Sequence, residues 1–299
     1  MEPSLGTEHF TNYVAAYKKC KEIIEVTWAG RVSQPRLMGP CPGMSQFTHL
    51  SWMDTFINAT LGYLDDLVYH SYDEKPAPGF IEQTLTQGKS MKAIADKHKP
   101  PIPVWLGEGG PHNGGGLPNI SNTFSDGFYY LDALGQLSNL GHAAFNRQSF
   151  VGCHYELVDT NTFEPNPDYY TGLLWKKFMG PRVLGLKLVP SDDFHIYAHC
   201  GLVAPGSVAF AVLNNNPSES VEVTIEGLVG TETRNDYFFS SKELLSRDMY
   251  LNGNLLKMNG DNLPTITPLV SAGSSFTVKP QSYGYVVFPN AKYDLCASQ

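Results

Sequence analysis

The sequence predicts an α/β region over residues 1–181 followed by an antiparallel β-sandwich over residues 182–299. Helix-period stretches alternate with short apolar runs through the first part, the order that builds a parallel sheet or barrel. After "PDYYTGLLWKKFMG" that order gives way to short alternating runs divided by turns such as Asn252-Gly253 and Ala272-Gly273, the spacing of a sandwich. Only four strand runs occur in the first part. Four are too few for an eight-stranded barrel, and no nucleotide fingerprint marks a doubly wound sheet. The region reads as half of a larger architecture.

In chain order, "EHFTNYVAAYKKCKEII" (8–24) places Phe10, Val14, Tyr17 and Ile24 near one helical face, and "PRLMGPC" (35–41) is a short strand running into a Pro/Gly turn. "FTHLSWMDTFINATLGYL" is the next helix, and "DDLVYHSYD" (65–73) a strand ending in polar residues. "GFIEQTLTQGKSMKAIADKH" predicts a helix before the strand "PVWLGEG". A further helix spans "SNTFSDGFYYLDALGQLSNLG", and a last strand "AAFNRQSFVG" (143–152). The sandwich strands are "FHIYAHCG", "SVAFAVLNN", "VEVTIEGL", "NDYFFSS" and "SYGYVVF".

Composition narrows the class. Of 299 residues, 42% are hydrophobic and 17% charged, the balance of a globular chain rather than a disordered one. A net charge of −8 excludes a nucleic-acid binder, which needs a basic face. The five cysteines, Cys20, Cys41, Cys153, Cys200 and Cys296, show no CxxC spacing, so a structural zinc site is not expected. His195 and His199 share a strand face, where partly exposed strand histidines are the simpler reading than a metal pair. No 18-residue apolar run is present to cross a membrane. The first twenty residues lack the basic-then-apolar layout of a signal peptide. Asn58-Ala-Thr and Asn119-Ile-Ser are N-glycosylation sequons, meaningful for a secreted chain.

Chemistry concentrates at strand ends, where a parallel barrel places its catalytic groups. Three of the four strand runs end in polar side chains: His70 and Tyr72, then Glu108, then Arg147 and Gln148. A carboxylate closing an apolar strand costs several kcal/mol unless it is hydrogen-bonded or solvated in a cleft, so Glu108 demands neighbours. The glycines 114–116 that follow either give plain loop flexibility or expose N–H groups to a ligand's carboxylate or hydroxyl. No Gly-Lys-Ser/Thr follows, so this is not a P-loop.

Three blocks make the chain resemble a known family: "VWLGEGGPHNGGGLPNISNTFSDGFYYLDALG", "NRQSFVGCHYELVDTNTFEPNPDYYTGLLWKKFMG" and "LNGNLLKM". They resemble the heparanase family, the endo-β-glucuronidase-type retaining glycoside hydrolases of family 79. The resemblance implies a (β/α)8 barrel carrying a β-sandwich, of which this chain is the C-terminal half, strands 5–8 plus the sandwich. It implies cleavage of a β-glucuronidic linkage in a uronic-acid polysaccharide or proteoglycan chain by two carboxyl groups, without metal or organic cofactor. By motif match Glu108 is the nucleophile, with His70 and Tyr72 orienting it. Gly115 and Gly116 offer backbone N–H to a uronate carboxylate, and Gln148 and Tyr155 line the sugar pocket. Cys200 and Cys296 match a disulfide in the sandwich, which implies an oxidising, extracellular or lysosomal setting.

The departures are specific. The family's acid/base glutamate lies in Asn-Glu-Pro at the end of the fourth barrel strand, and this chain has Met1-Glu2-Pro3. Either Glu2 stands for that acid with Met in place of Asn, or the match is accidental and the acid is absent. The expectation is therefore a piece of a longer enzyme. Asn113 replaces the tyrosine before the triple glycine, and no basic cluster suits a sulfated glycan. The rival expectation is an inactive, glycan-binding relative. A β-glucosidase-like activity on the same architecture is a third, because a fold alone does not select a substrate.

Overall fold

The computed structural model describes residues 7–43, 50–74, 78–189, 191–228 and 233–298. Two compact units divide the chain, the first formed by Met1–Tyr72, Gln83–Gly109 and Leu140–Arg147, the second by Asp73–Glu82, Gly110–Asn139 and Gln148–Gln299.

The first unit begins with helix α1 (Thr7–Thr27), strand β1 (Met38–Gly43), helix α2 (Leu50–Thr60), strand β2 (Asp66–Tyr72) and helix α3 (Gln83–Ala95). Strands β3 (Val104–Gly110) and β4 (Ala144–Arg147) complete a four-stranded sheet in the order β1-β2-β3-β4, with β1 on β2 and β3 on β4 parallel. The expected helix-then-strand alternation is present. The last strand is shorter than the expected 143–152, so Gln148 lies in the loop beyond it. Central strand β2 is buried along most of its length, as a parallel strand covered on both faces must be. An aromatic cluster joins α1 to α2: Trp52 stacks on Phe56 at 5.4 Å, and Tyr13 and Tyr17 pack against Phe56. Glycine at position 39 lets β1 come close to α1, because a Cβ there would stand 1.8 Å from the Tyr17 hydroxyl and the ring would have to shift.

The N-terminal ends of this sheet carry ion pairs. Arg36 grips the buried Asp66 through Nε at 2.6 Å and Nη2 at 2.7 Å, and Trp105 Nε1 donates to the same carboxylate. Burial pushes the Asp65 carboxyl up, but the Lys21 ammonium and the Leu37 N–H outweigh it and hold Asp65 below the usual range. In parallel α/β architectures this is the end associated with stability rather than chemistry.

Among the described residues the second unit holds helices α4 (Asp126–Asn139) and α5 (Pro167–Phe178) and ten strands: β5 (Met179–Leu184), β6 (Phe194–Gly201), β7 (Val208–Asn214), β8 (Val221–Thr224), β9 (Thr233–Ser240), β10 (Tyr250–Leu251), β11 (Asn254–Leu255), β12 (Leu269–Ala272), β13 (Ser275–Val278) and β14 (Ser282–Phe288). Eight form one sheet, β11-β10-β9-β14-β7-β6-β5, with β12 on β9, and β8 pairs with β13. Strand β7 shows how the layers arise. Ala209, Ala211 and Leu213 join a core with Phe124, Phe128, Leu131, Tyr170, Leu174 and Phe178 from the helical side. Val208, Phe210 and Val212 join a second core with Phe276 and Val278 of β13. The period of two sends alternate residues to opposite faces. Cys200 and Cys296 are joined in a disulfide beside that second core, with Cα atoms 5.1 Å apart.

The compact units thus divide elsewhere than the single expected cut after residue 181. Helices α4 and α5 pack on the long sheet, where Ala209 and Ala211 leave room for their phenylalanines. The strand histidines also find specific partners: His195 Nδ1 lies 2.6 Å from Asp132 of α4, and His199 bonds Gly180 O and Ser138 Oγ. Burial lowers the His199 pKa, against the raising effect of the Gly180 carbonyl.

Candidate active site

In the first unit, the C-terminal ends of β2 and β3 bring three of the expected residues together. Alternation along β2 turns His70 and Tyr72 to one face and Ser71 to the other. Ser71 Oγ lies in hydrogen-bond range of Thr84 and Gln87 of α3, which fixes the strand's rotation. Gly107 permits the neighbouring strand to come close, because a Cβ there would meet Val68 Cγ1 at 2.2 Å. Tyr72 Oη then donates to Glu108 Oε1 at 2.5 Å, and His70 Nδ1 stands 3.6 Å from Oε2.

The carboxylate is asymmetric. One oxygen is held by the tyrosine, while Oε2 has no hydrogen bond among the described residues and the side chain is 33% exposed. The burial cost that demanded neighbours is met on one oxygen by a charge-assisted bond and on the other by solvent. Such a group is oriented, ionisable and open to a ligand. It can attack an electrophilic carbon or hold a cation.

Cys41 belongs to the same neighbourhood. It lies within β1 in a left-handed conformation, φ 64°, inside a register shift between Pro40 and Gly43. Burial and the nearby Glu108 charge push its thiol pKa up. Sequence reasoning named the proline–cysteine end of this strand but gave Cys41 no role. Its position depends on a bulge that pattern alone does not reveal.

In the second unit, glycines 114–116 all have positive φ, from 64° to 98°, which explains why no side chain occupies them. The two expected donors prove unequal. Gly116 N–H donates to Asn113 O at 3.2 Å, closing a turn, whereas Gly115 N–H makes no hydrogen bond among the described residues. The loop is braced by a second segment. His154 N–H donates to Gly115 O at 2.7 Å, and the buried Tyr155 ring lies so close to Gly116 that a Cβ would stand 2.7 Å from Cδ1.

Glu2 lies outside the described residues. Asn58 and Asn119 are both exposed, the first within α2 and the second in a loop at φ 56°. Among the described residues no three His, Cys, Asp or Glu side chains converge as a metal site, and no helix is long and apolar enough to cross a membrane.

The profile of glycosyl hydrolase family 79, N-terminal domain, matches residues 5–135. The baicalin-β-D-glucuronidase of Scutellaria baicalensis is 30% identical over 294 residues, covering 93% of this chain and 55% of the relative. Heparanase of Mus musculus is 33% identical over 286 residues, covering 87% and 52%. The chain spans about half the length of the curated relatives it matches. Among solved structures, the α-L-arabinofuranosidase of Thermotoga maritima superposes with a TM-score of 0.67 at 14% identity, over 96% of this chain and 64% of that one. A 4-O-α-L-rhamnosyl-β-D-glucuronidase from Fusarium oxysporum does so with a TM-score of 0.62 at 14% identity, over 92% and 64%. At such identities the likeness concerns fold alone.

Proposed function

The chain belongs to glycosyl hydrolase family 79, and from that premise we propose that the protein is a retaining β-glucuronidase acting on uronic-acid glycans. Strands β1–β4 correspond on this reading to strands 5–8 of a (β/α)8 barrel, with the β-sandwich following. The observation that carries it is the Glu108 carboxylate, anchored through Oε1 by Tyr72, with Oε2 facing His70 at 3.6 Å and accepting no hydrogen bond among the described residues.

The mechanism follows from that asymmetry. Glu108 Oε2 attacks the anomeric carbon, and the aglycone leaves as its oxygen takes a proton from the second carboxyl group. The product is a glycosyl ester on Glu108. Water, deprotonated by the conjugate base of that acid, then displaces the ester and restores the carboxylate with the original anomeric configuration. Tyr72 keeps the attacking carboxylate in one rotamer throughout, which is the part of catalysis that positioning supplies. The acid is assigned to Glu2 or to a residue outside this chain. Of the glycine pair, Gly115 is the donor to a uronate carboxylate, and Gln148 and Tyr155 are assigned to the sugar pocket. With a net charge of −8, a glycan of low sulfation suits the chain better than a polysulfated one. The Cys200–Cys296 disulfide and the exposed sequons at Asn58 and Asn119 suit a secreted or lysosomal glycoprotein.

Assay of the full-length protein on an aryl β-glucuronide tests this directly. Glu108→Gln is expected to lower kcat by roughly 10³-fold or more. A 2-fluoro glucuronide should leave its sugar covalently on the peptide that contains Glu108, seen by mass spectrometry. Equal turnover by the wild type and the variant ends the nucleophile assignment. Tight glycan binding without cleavage by the wild type favours the inactive, glycan-binding alternative instead.

A further inference from the structure

Glu156 is an acid that the mechanism leaves unused. It stands in the "CHYELVD" segment and is only 7% exposed. A carboxylate so buried is costly unless hydrogen-bonded. It is bonded on both oxygens: Gly152 N–H donates to Oε2 at 2.7 Å, the Thr160 hydroxyl to Oε2 at 2.5 Å, and Thr160 N–H to Oε1 at 3.0 Å. All three donors lie within four residues of it in sequence, so the side chain folds the 152–160 loop around itself. Asn166, fully buried, donates from Nδ2 to the Glu156 carbonyl at 2.8 Å, and Arg247 in turn holds Asn166 at 2.7 Å.

What this staple fixes is the segment that braces the glycine loop. Between Gly152, tied to Glu156, and His154, tied to Gly115 O, stands Cys153 in a left-handed conformation, φ 69°. A non-glycine residue at that φ persists only where its surroundings over-determine it. The Gly152 bond to Glu156 and the His154 bond to Gly115 supply the constraint from both sides. The Gly115 carbonyl is held by His154, which fixes the peptide plane between Gly115 and Gly116, and the Gly115 N–H, without a hydrogen bond among the described residues, belongs to the adjoining plane.

We infer that Glu156 is a positioning residue which, through Gly152, Cys153 and His154, aims the Gly115 N–H at a carboxylate ligand. The inference rests on the uronate reading of Gly115 and adds to it a specificity device in the supporting loop. Glutamine is a poor substitute for this device, because its amide NH2 would face a donor N–H on one side.

The test uses the full-length protein and two matched substrates, an aryl β-glucuronide and the corresponding aryl β-glucoside, which lacks the carboxylate. Glu156→Gln is expected to raise KM for the glucuronide about tenfold, with kcat within twofold and the glucoside's constants unchanged. Thr160→Val, which removes one donor and is milder, should give a smaller rise of two- to threefold, and it decides the matter if the glutamine variant does not fold. Titration of free D-glucuronate into ¹⁵N-labelled protein provides a readout independent of turnover: the Gly115 amide resonance should shift in the wild type and respond more weakly in both variants. Equal losses on both substrates, or glucuronate affinity unchanged in a folded variant, overturns the positioning role. A wild-type protein whose Gly115 amide ignores glucuronate overturns the uronate reading itself, and the role with it.

Discussion

Glu108 shows how far a single residue could be understood before its surroundings were known. A carboxylate at the tip of an apolar strand needs compensation, and alternation along the preceding strand places His70 and Tyr72 on a common face. Those two facts are local, so the trio was legible. Cys41 was not, since its approach to Glu108 follows from a left-handed turn within a register shift. The pair offers a check that needs no activity. The Glu108 charge contributes to the raised thiol pKa of Cys41, second to burial. Removing that charge in Glu108→Gln should lower the thiol pKa, because the thiolate no longer forms beside an anion. Alkylation of Cys41 by iodoacetamide should then accelerate at a fixed pH of about 8, and its pH–rate curve should move to lower pH. An unchanged curve means that the two groups do not share a neighbourhood. Gly115 and Gly116, identical in pattern, were separable only by their hydrogen bonds.

At the scale of elements, helix periodicity and strand alternation identified the principal helices and strands, whereas the ends were set by packing. Helix α4 illustrates the limit. Gly135 lies in its interior, where alanine is favoured by about 1 kcal/mol on propensity. Yet a Cβ at that position would stand 2.1 Å from the Tyr197 ring of β6. Tyr197 cannot simply swing aside, because its hydroxyl donates to the buried Asp132 of α4. Gly135→Ala is therefore expected to destabilise the protein by about 1–3 kcal/mol despite its better helix propensity, measured as a lower urea midpoint. A neutral or stabilising effect counts against close packing of α4 on β6. The short strands β10 to β13 escaped sequence reading for a related reason. They are two to four residues long, with too few residues to show a period, and are recognised by the strands they pair with.

At the scale of the whole molecule, the cross-link joins residues 96 apart in sequence, tying β6 to the C-terminal turn at Asp294–Cys296. Closing a loop of that length restricts the unfolded chain by roughly 4–5 kcal/mol. Reduction with dithiothreitol should lower the unfolding midpoint of the sheet-bearing unit correspondingly. An identical midpoint in oxidised and reduced protein means that the bond is absent in solution. Both sulfurs sit in the core at zero exposure, so the pairing depends on β6 and the C-terminal turn having met.

The residue order by itself determined what depends on short-range chemistry. It determined a helix–strand alternation giving way to short antiparallel strands, because side-chain period follows backbone geometry within a few residues. It also determined an acid at a strand tip beside a histidine and a tyrosine, and a run of glycines where only positive φ is tolerated. Tertiary structure decided the rest. It placed Cys41 near Glu108, braced Gly115 from His154, and grouped α4 and α5 with the long sheet rather than with β1–β4. Each of these is settled by contacts between residues distant in sequence or by competition for the same hydrogen bonds, and neither leaves a periodic trace in the order of amino acids.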